Sequence, residues 1–207
     1  MARWLSIDSK FYHGWSIAGD LVLINLLTLL FSIPLITAGA AFTATQRVCQ
    51  EIVREEESYP VRTWFKTFRE NFSQATIIWL PALLLLFGFY LEERFLQGLT
   101  SATTQTVLTA LVIFGIVIIV SFLSWYFSLL ARFENKTEAH VINALRLALG
   151  KLPITIASTT FIMLPLTAAI YLPSALNPIG IYFFFIGFSF AAYLQALLQL
   201  KTLNALS

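Results

Sequence analysis

Ionisable side chains are scarce in this sequence. Only 12% of its 207 residues are Asp, Glu, Lys or Arg, about half the share found in soluble domains. Cysteine occurs once, at Cys49. A lone thiol excludes an intrachain disulfide and any CxxC or Cys/His metal cluster, and it reads as a small filler side chain. Histidine occurs twice, at His13 and His140, far apart and each expected at a surface or interface. There is no glycine loop for phosphate, so any ATP hydrolysis would have to come from a partner. GxSxG, HExxH and an intramembrane Ser/His/Asp set are missing too. The net charge is +2, with basic residues scattered singly, which argues against nucleic acid as a partner. These absences leave no catalytic, cofactor-binding or metal-ligating residue to name, and the expectation is a protein that is not an enzyme.

Long apolar runs are what the sequence does have. Hydrophobic residues make up 58% of it, and a helix needs about 20 apolar residues to cross a bilayer. Leu21 to Gln46 and Asn71 to Leu91 carry no charge. Phe95 to Ala131 is a third run, 37 residues long, whose polar start QGLTSATTQT leaves a span from Val107. Leu152 to Leu200 covers 49 residues, enough for two spans, with Pro173 and Pro178 bracketing a turn. Sheet edges would go unpaired in lipid. The expectation is therefore an all-α integral membrane protein, a single transmembrane domain over 1–207. Its bundle holds about five transmembrane helices, near 17–36, 71–91, 107–131, 153–172 and 179–200, with short amphipathic cytoplasmic helices in 37–70 and 132–152.

Leu21 to Thr37 followed by Ala38-Gly39-Ala40 superficially fits a cleavable leader. Arg3 and Lys10 stand against Asp8 and Asp20 before the run, and the basic residues are denser after it, so a retained first span is expected. Residues 3–15 place Trp4, Leu5, Phe11, Tyr12 and Trp15 at helical spacing. Two readings fit: a helix lying in the interface, or an ordinary lead-in to the first span. Five spans separate three basic residues (Arg3, Lys10, Arg94) from the other ten. Lys/Arg excess marks the cytoplasm, so the N-terminus is expected outside and the C-terminus inside. Trp125 and Tyr126 at one end of the bundle, and Tyr90, Tyr171 and Tyr182 at the other, are expected as interfacial anchors.

Two segments on the basic side hold most of the pattern. In FSIPLITAGAAFTATQRV, Pro34 disfavours a continuous helix. The small residues after it predict a closely packed helix continuing into the cytoplasm. In ARFENKTEAHVINALRLALGKLP, Asn135 and Glu138 match a capping box. Val141, Ile142, Leu145, Ala148 and Leu149 form an apolar face there, and Glu138, Asn143 and Arg146 a polar one. Gly150 and Pro153 end that helix. It could pack under its own bundle or dock another protein; periodicity does not separate the two.

The order NLLTLLFSIPLITAGAAFTA, WFKTFRENFSQA, SLLARFEN, INALRLALGKLPITI resembles the YesL family of small bacterial integral membrane proteins, long described as a domain of unknown function. Pro34, Thr37, Gly39, Phe68, Asn71, Arg132, Phe133, Glu134 and Asn135 carry the resemblance, between about Asp20 and Ile156. What it implies is residence in the bacterial cell membrane and an accessory role beside ATP-driven carbohydrate (ABC) importers, with permease or ATPase subunits as partners. Glu138-Ala139-His140, Gly150 and Leu152-Pro153 also echo the docking loop of importer permeases. Gly150 comes too late for that pattern, which marks convergence rather than kinship.

No ionisable residue falls mid-span, which disfavours an ion-coupled carrier. The uncharged stripes Gly187/Ala191/Gln195/Gln199 and Ser121/Ser124/Ser128, with Asn25, are expected to be helix-packing contacts. Pro81 and Pro165 are expected to kink their helices. The expected function is a non-catalytic accessory membrane protein. Its alternatives are a self-sufficient facilitator or channel, or a scaffold that forms homo-oligomers. Finally, ARFEN and FRENF are expected to meet, with Glu70 or Asn71 reaching Arg132 and Lys66 or Arg69 reaching Glu134.

Overall fold

The structure is a computed structural model that describes residues 10–56, 59–96, 101–172, 174 and 176–206. Among them there is helix and no strand. The order is α1 (Lys10–Ser32), α2 (Ala38–Val53), α3 (Pro60–Leu96), α4 (Ala102–Arg132), α5 (Thr137–Gly150), α6 (Leu152–Tyr171) and α7 (Leu176–Tyr182), then a π-turn (Phe183–Gly187) and α8 (Phe188–Asn204). Five stretches are long and apolar enough to cross a membrane: Gly14–Ser32, Pro60–Glu92, Ala102–Arg132, Leu152–Ala169 and Leu176–Asn204. The chain is a multi-pass helical membrane protein.

Its packing inverts the soluble rule. Large apolar side chains such as Leu84, Leu111, Phe114 and Leu164 point outward, while Ala40, Ala41, Ala44, Ala75 and Ala144 are fully buried. Lipid tails are as apolar as leucine, so outward leucines cost nothing, and small residues let the backbones approach.

The closely packed helix expected after Pro34 is present, and it is the bundle's central strut. α2 touches α1, α3, α4 and α8, and twelve of its 16 residues are buried. Gly39 makes this possible, since a Cβ there would lie 2.6 Å from Trp79 Cβ and 3.2 Å from the Ala75 carbonyl. The expected bend at Pro34 is a complete break over 33–37. Leu35 sits there at φ 54, and its carbonyl accepts from Trp79 Nε1 at 2.7 Å. The end of the expected cytoplasmic stretch 37–70 also belongs to the bundle: Pro60 opens α3, and Trp64, one turn on, is fully buried.

Other expectations shift in register. α1 is continuous from Lys10, so its start is the lead-in to a span; residues 3–9 lie outside the described residues. The side chains of His13 and Tyr171, and Pro173 itself, lie outside them too. Pro178 is inside α7 instead of bracketing a turn; Pro81 and Pro165 lie inside α3 and α6. Trp125 and Tyr126 are not interfacial anchors. Both are fully buried, with Trp125 Nε1 donating to Thr155 Oγ1 at 2.8 Å and Tyr126 OH to the Gln74 carbonyl at 2.9 Å.

The polar stripes become interhelical hydrogen bonds. Gln46 Nε2 donates to Gln195 Oε1 (2.6 Å), and Gln195 Nε2 to the Ser124 carbonyl (2.8 Å). Gln50 Nε2 donates to the Ser128 carbonyl (3.0 Å), and Ser121 pairs with Thr159 (2.9 Å). Asn25 is fully buried against the π-turn. Its Nδ2 donates to the carbonyls of Phe183 and Phe184, both at 2.9 Å. Its Oδ1 accepts from the N–H groups of Phe188 (2.9 Å) and Ser189 (3.1 Å). One side chain thus bridges the place where the ladder changes from i→i+5 back to i→i+4.

Candidate functional site

Where α4 ends, the chain must turn out of its helix. Phe133 is extended (φ −117, ψ 142), and so is Lys136 (φ −69, ψ 149). This four-residue extended link, Phe133 to Lys136, lies against the first turns of α3. Between them is a cleft of about 810 Å³, lined by both charge signs: Arg47, Lys66, Arg132 and Lys136 face Glu51, Glu70 and Glu134. Thr63, Thr67, Asn71 and Gln74 complete its polar wall.

The two segments meet, but not through the expected pairs. Arg132 Nη2 donates to Asn204 Oδ1 at 2.6 Å, and its guanidinium lies 5.8 Å from the Phe133 ring centre. Glu70 stands 4.0 Å from Lys66 on its own helix, with both side chains exposed, a pair worth under about 1 kcal/mol. The actual cross-link is uncharged: Gln74 Nε2 donates to the Asn135 carbonyl at 3.2 Å. Ion pairing would oblige both segments to surrender solvated charges, whereas an amide-to-carbonyl bond leaves those charges facing the cleft. Asn135 does not cap α5 either. The N-cap position is Lys136, with no side-chain cap bond, so Asn135 lies one residue too early to serve it.

The sequence-derived residues therefore fall into three groups. Glu70, Asn71, Arg132, Phe133, Glu134 and Asn135 share the cleft. Pro34, Thr37, Gly39 and Phe68 build the corner of α1, α2 and α3. Thr37 Oγ1 donates to the Phe31 carbonyl there, and Phe68 stacks on Trp64 at 5.2 Å and meets Phe31 at 5.2 Å. Glu138 and Arg146 lie on the exposed side of α5, outside the cleft. That helix buries His140, Ala144 and Ala148, leaving Ile142, Leu145 and Leu149 outward, so the expected apolar face is turned.

Sequence reasoning missed Arg47 and Glu51, although their i,i+4 spacing in QRVCQE was a visible signal. Arg47 Nε pairs with Glu51 Oε1 at 2.7 Å, and Arg47 Nη1 donates to the Ala131 carbonyl at 3.3 Å, near the end of α4. Glu51 is almost fully buried, and its Oε2 has no partner among the described residues. His140, expected at a surface, is buried edge-on to Tyr126 with ring centres 6.2 Å apart. Burial lowers its pKa below the ordinary value, opposed by its hydrogen bond to the Phe133 backbone. Burial also pushes the Cys49 thiol up. Among the described residues no three of His, Cys, Asp and Glu are placed to hold a metal ion. Chemically, the cleft offers alternating donors and acceptors to a polar surface or solute.

Residues 21–92 match the model of a family described as a protein of unknown function, DUF624. That family is also the one called YesL. The matched segment carries most of α1, all of α2 and nearly all of α3, hence Pro34, Thr37, Gly39, Phe68, Glu70 and Asn71. It stops short of ARFEN, the other wall of the cleft. No curated protein and no solved structure matches the chain.

Proposed function

We propose that the chain is a non-catalytic accessory membrane protein whose polar cleft docks a partner, and that the partner is a permease or ATPase subunit of a carbohydrate ABC importer. The observation that carries the docking reading is the cleft itself: seven charged side chains of both signs around one opening, beside a helix that turns Ile142, Leu145 and Leu149 outward along with Glu138 and Arg146. Mixed charge favours partner selection and register over raw affinity, as suits an accessory subunit. The importer is supported by the resemblance to the YesL family. The same resemblance supports residence in the bacterial cell membrane, and over five crossings the ten-to-three distribution of Lys and Arg supports an N-terminus outside and a cleft facing the cytoplasm.

Affinity purification in mild detergent from the native host tests this. Permease or ATPase subunits should copurify with the wild type and be lost from a Glu70→Lys, Glu134→Lys double variant that stays monodisperse. Sugar flux through liposomes holding only this protein would instead establish a self-sufficient facilitator and sink the accessory reading.

A further inference from the structure

Ile33, Pro34, Leu35 and Ile36, at the break between α1 and α2, are exposed one after another. Ile33 is 73% exposed, Leu35 59% and Ile36 51%. In water, such a run of exposed apolar side chains would be a defect. Its backbone, however, is closed in the way that lipid requires. The Leu35 N–H donates to the Ser32 carbonyl (3.0 Å) and the Ala38 N–H to the Leu35 carbonyl (3.2 Å), which also accepts from Trp79 Nε1. Thr37 Oγ1 donates to the Phe31 carbonyl. The break also sits deep. Trp79 lies nine positions beyond Glu70, inside the charge-free run of α3, roughly 13 Å along the helix.

Cross-links between the helices give their directions. α2 runs from Trp79 toward the cleft. Gly39 packs against Trp79, Thr45 Oγ1 accepts from Trp64 Nε1 (3.2 Å), and Arg47 and Glu51 line the cleft with Thr63 and Lys66. α1 runs the other way beside it. The Thr28 hydroxyl pairs with that of Thr45. Three residues earlier in α1, Asn25 accepts from the Ser189 N–H (3.1 Å), and the Ser189 carbonyl accepts from Cys49, four residues later in α2 (3.5 Å). A step back along α1 is thus a step forward along α2, toward the cleft. The two helices form an antiparallel hairpin with residues 33–36 at its tip and both open ends on the cleft's side.

We infer that residues 33–36 turn inside the bilayer, with lipid acyl chains covering Ile33, Leu35 and Ile36, and that α2 is a sixth membrane leg that returns the chain to the side from which α1 entered. Its Gln46, Gln50 and Glu51 are buried, with α1, α3, α4 and α8 packed around the helix, so a leg too polar to face lipid is kept out of it. The N-terminus then shares the cleft's side, in place of the outside position that five crossings give. Charge agrees. Arg3 and Lys10 join the ten basic residues already on that side and leave Arg94 alone opposite, a stronger Lys/Arg excess for the cytoplasm than ten to three. The cleft stays cytoplasmic, so the hairpin neither needs nor alters the docking reading.

An epitope tag placed ahead of Met1 tests the orientation, with the same tag inserted after Ser101 as the reference. Protease added to spheroplasts should remove the tag at Ser101 and leave the N-terminal one intact. In inverted vesicles the N-terminal tag should be lost and the other kept. An N-terminal tag digested in spheroplasts, or spared in inverted vesicles, overturns the inference. The tip is read separately, with nitroxide labels on Ile33→Cys and Ile36→Cys of the full chain in phosphatidylcholine nanodiscs. Tyr59→Cys, at an exposed position, is the aqueous reference, and the buried Cys49 gives no background. At 33 and 36 the label should collide with oxygen, which concentrates in lipid, far more than with a water-soluble nickel chelate; at 59 the ratio should reverse. Labels at 33 and 36 that favour the chelate would put the tip in water, and labels reached by neither reagent would put it under protein. Either result overturns the inference.

Discussion

Replacing Asn25 by leucine keeps the branching at Cγ, at a somewhat larger volume, and removes the polar contacts that this side chain makes to the π-turn. Four hydrogen bonds vanish, all between 2.9 and 3.1 Å. Side-chain hydrogen bonds inside membrane bundles average about 0.6 kcal/mol, so four amount to roughly 2.4 kcal/mol. The i→i+5 ladder of the π-turn survives the substitution, which holds the loss near 2 kcal/mol and below the value for fully stranded groups. Reversible unfolding in mixed micelles titrated with dodecyl sulfate reads this directly. Asn143→Leu on α5, where no buried bond is broken, is the control and should stay within about 0.5 kcal/mol. Hydrogen exchange adds a local readout, since the amides of Phe188 and Ser189 should exchange faster in the variant while those of α4 do not. A loss no larger than the control, or unchanged exchange at 188 and 189, would refute the idea that Asn25 sustains the π-turn.

Three further outcomes are expected. Gly39→Ala should destabilise by about 1–3 kcal/mol in the same titration, because its Cβ meets Trp79 at 2.6 Å; Gly88→Ala, with nothing within 4 Å of the new atom, should be neutral or slightly stabilising. His140 has its pKa lowered in the fold, so the unfolded chain binds the proton first. Stability should be flat above about pH 7 and fall as pH drops through the ordinary histidine value near 6.5, by at most about 1.4 kcal/mol per pH unit. Thermal scans from pH 8 to 6 should show that slope in the wild type and lose it in His140→Gln. For orientation, Ser101→Cys should react with an impermeant maleimide in intact cells and Glu138→Cys should not. Cys49 is buried and gives no background, and the reverse pattern would overturn the expected topology.

The spans were legible because length and apolarity suffice to recognise them, and the sequence runs agree with the observed helices to within a few turns. α2 was not, because its residues look like a linker: small, with two glutamines, an arginine and a glutamate. Their burial is stabilised by partners 78 to 149 positions away, such as Ser128 for Gln50 and Gln195 for Gln46, and local periodicity carries no trace of those. α5 shows a different limit. Soluble-protein habit puts Ile142, Leu145 and Leu149 inside, yet they are outside and His140, Ala144 and Ala148 are inside, because apolar residues next to a bilayer have two acceptable places to go. At the cleft, charge pointed to ARFEN and FRENF as neighbours, and both line it, but the bond that joins the two walls comes from Gln74, just beyond FRENF, and is uncharged. That Arg132 reaches Asn204 at the far end of α8 could not be anticipated, since an exposed asparagine in a terminal turn carries no pattern.

The placement of α2 constrains how the protein can be made. A ribosome delivers α1 and α2 long before α8, yet Asn25 waits for Phe188, Cys49 for Ser189 and Gln46 for Gln195, contacts 163, 140 and 149 residues apart. Until the last helix enters, the strut can shelter only part of its polar surface, and the early helices must persist as an open assembly. Closing so long a loop is slow relative to local helix formation, so α8 acts as the bolt that is thrown last. A chain arrested before α8 should therefore be degraded rather than accumulate as a four-span bundle.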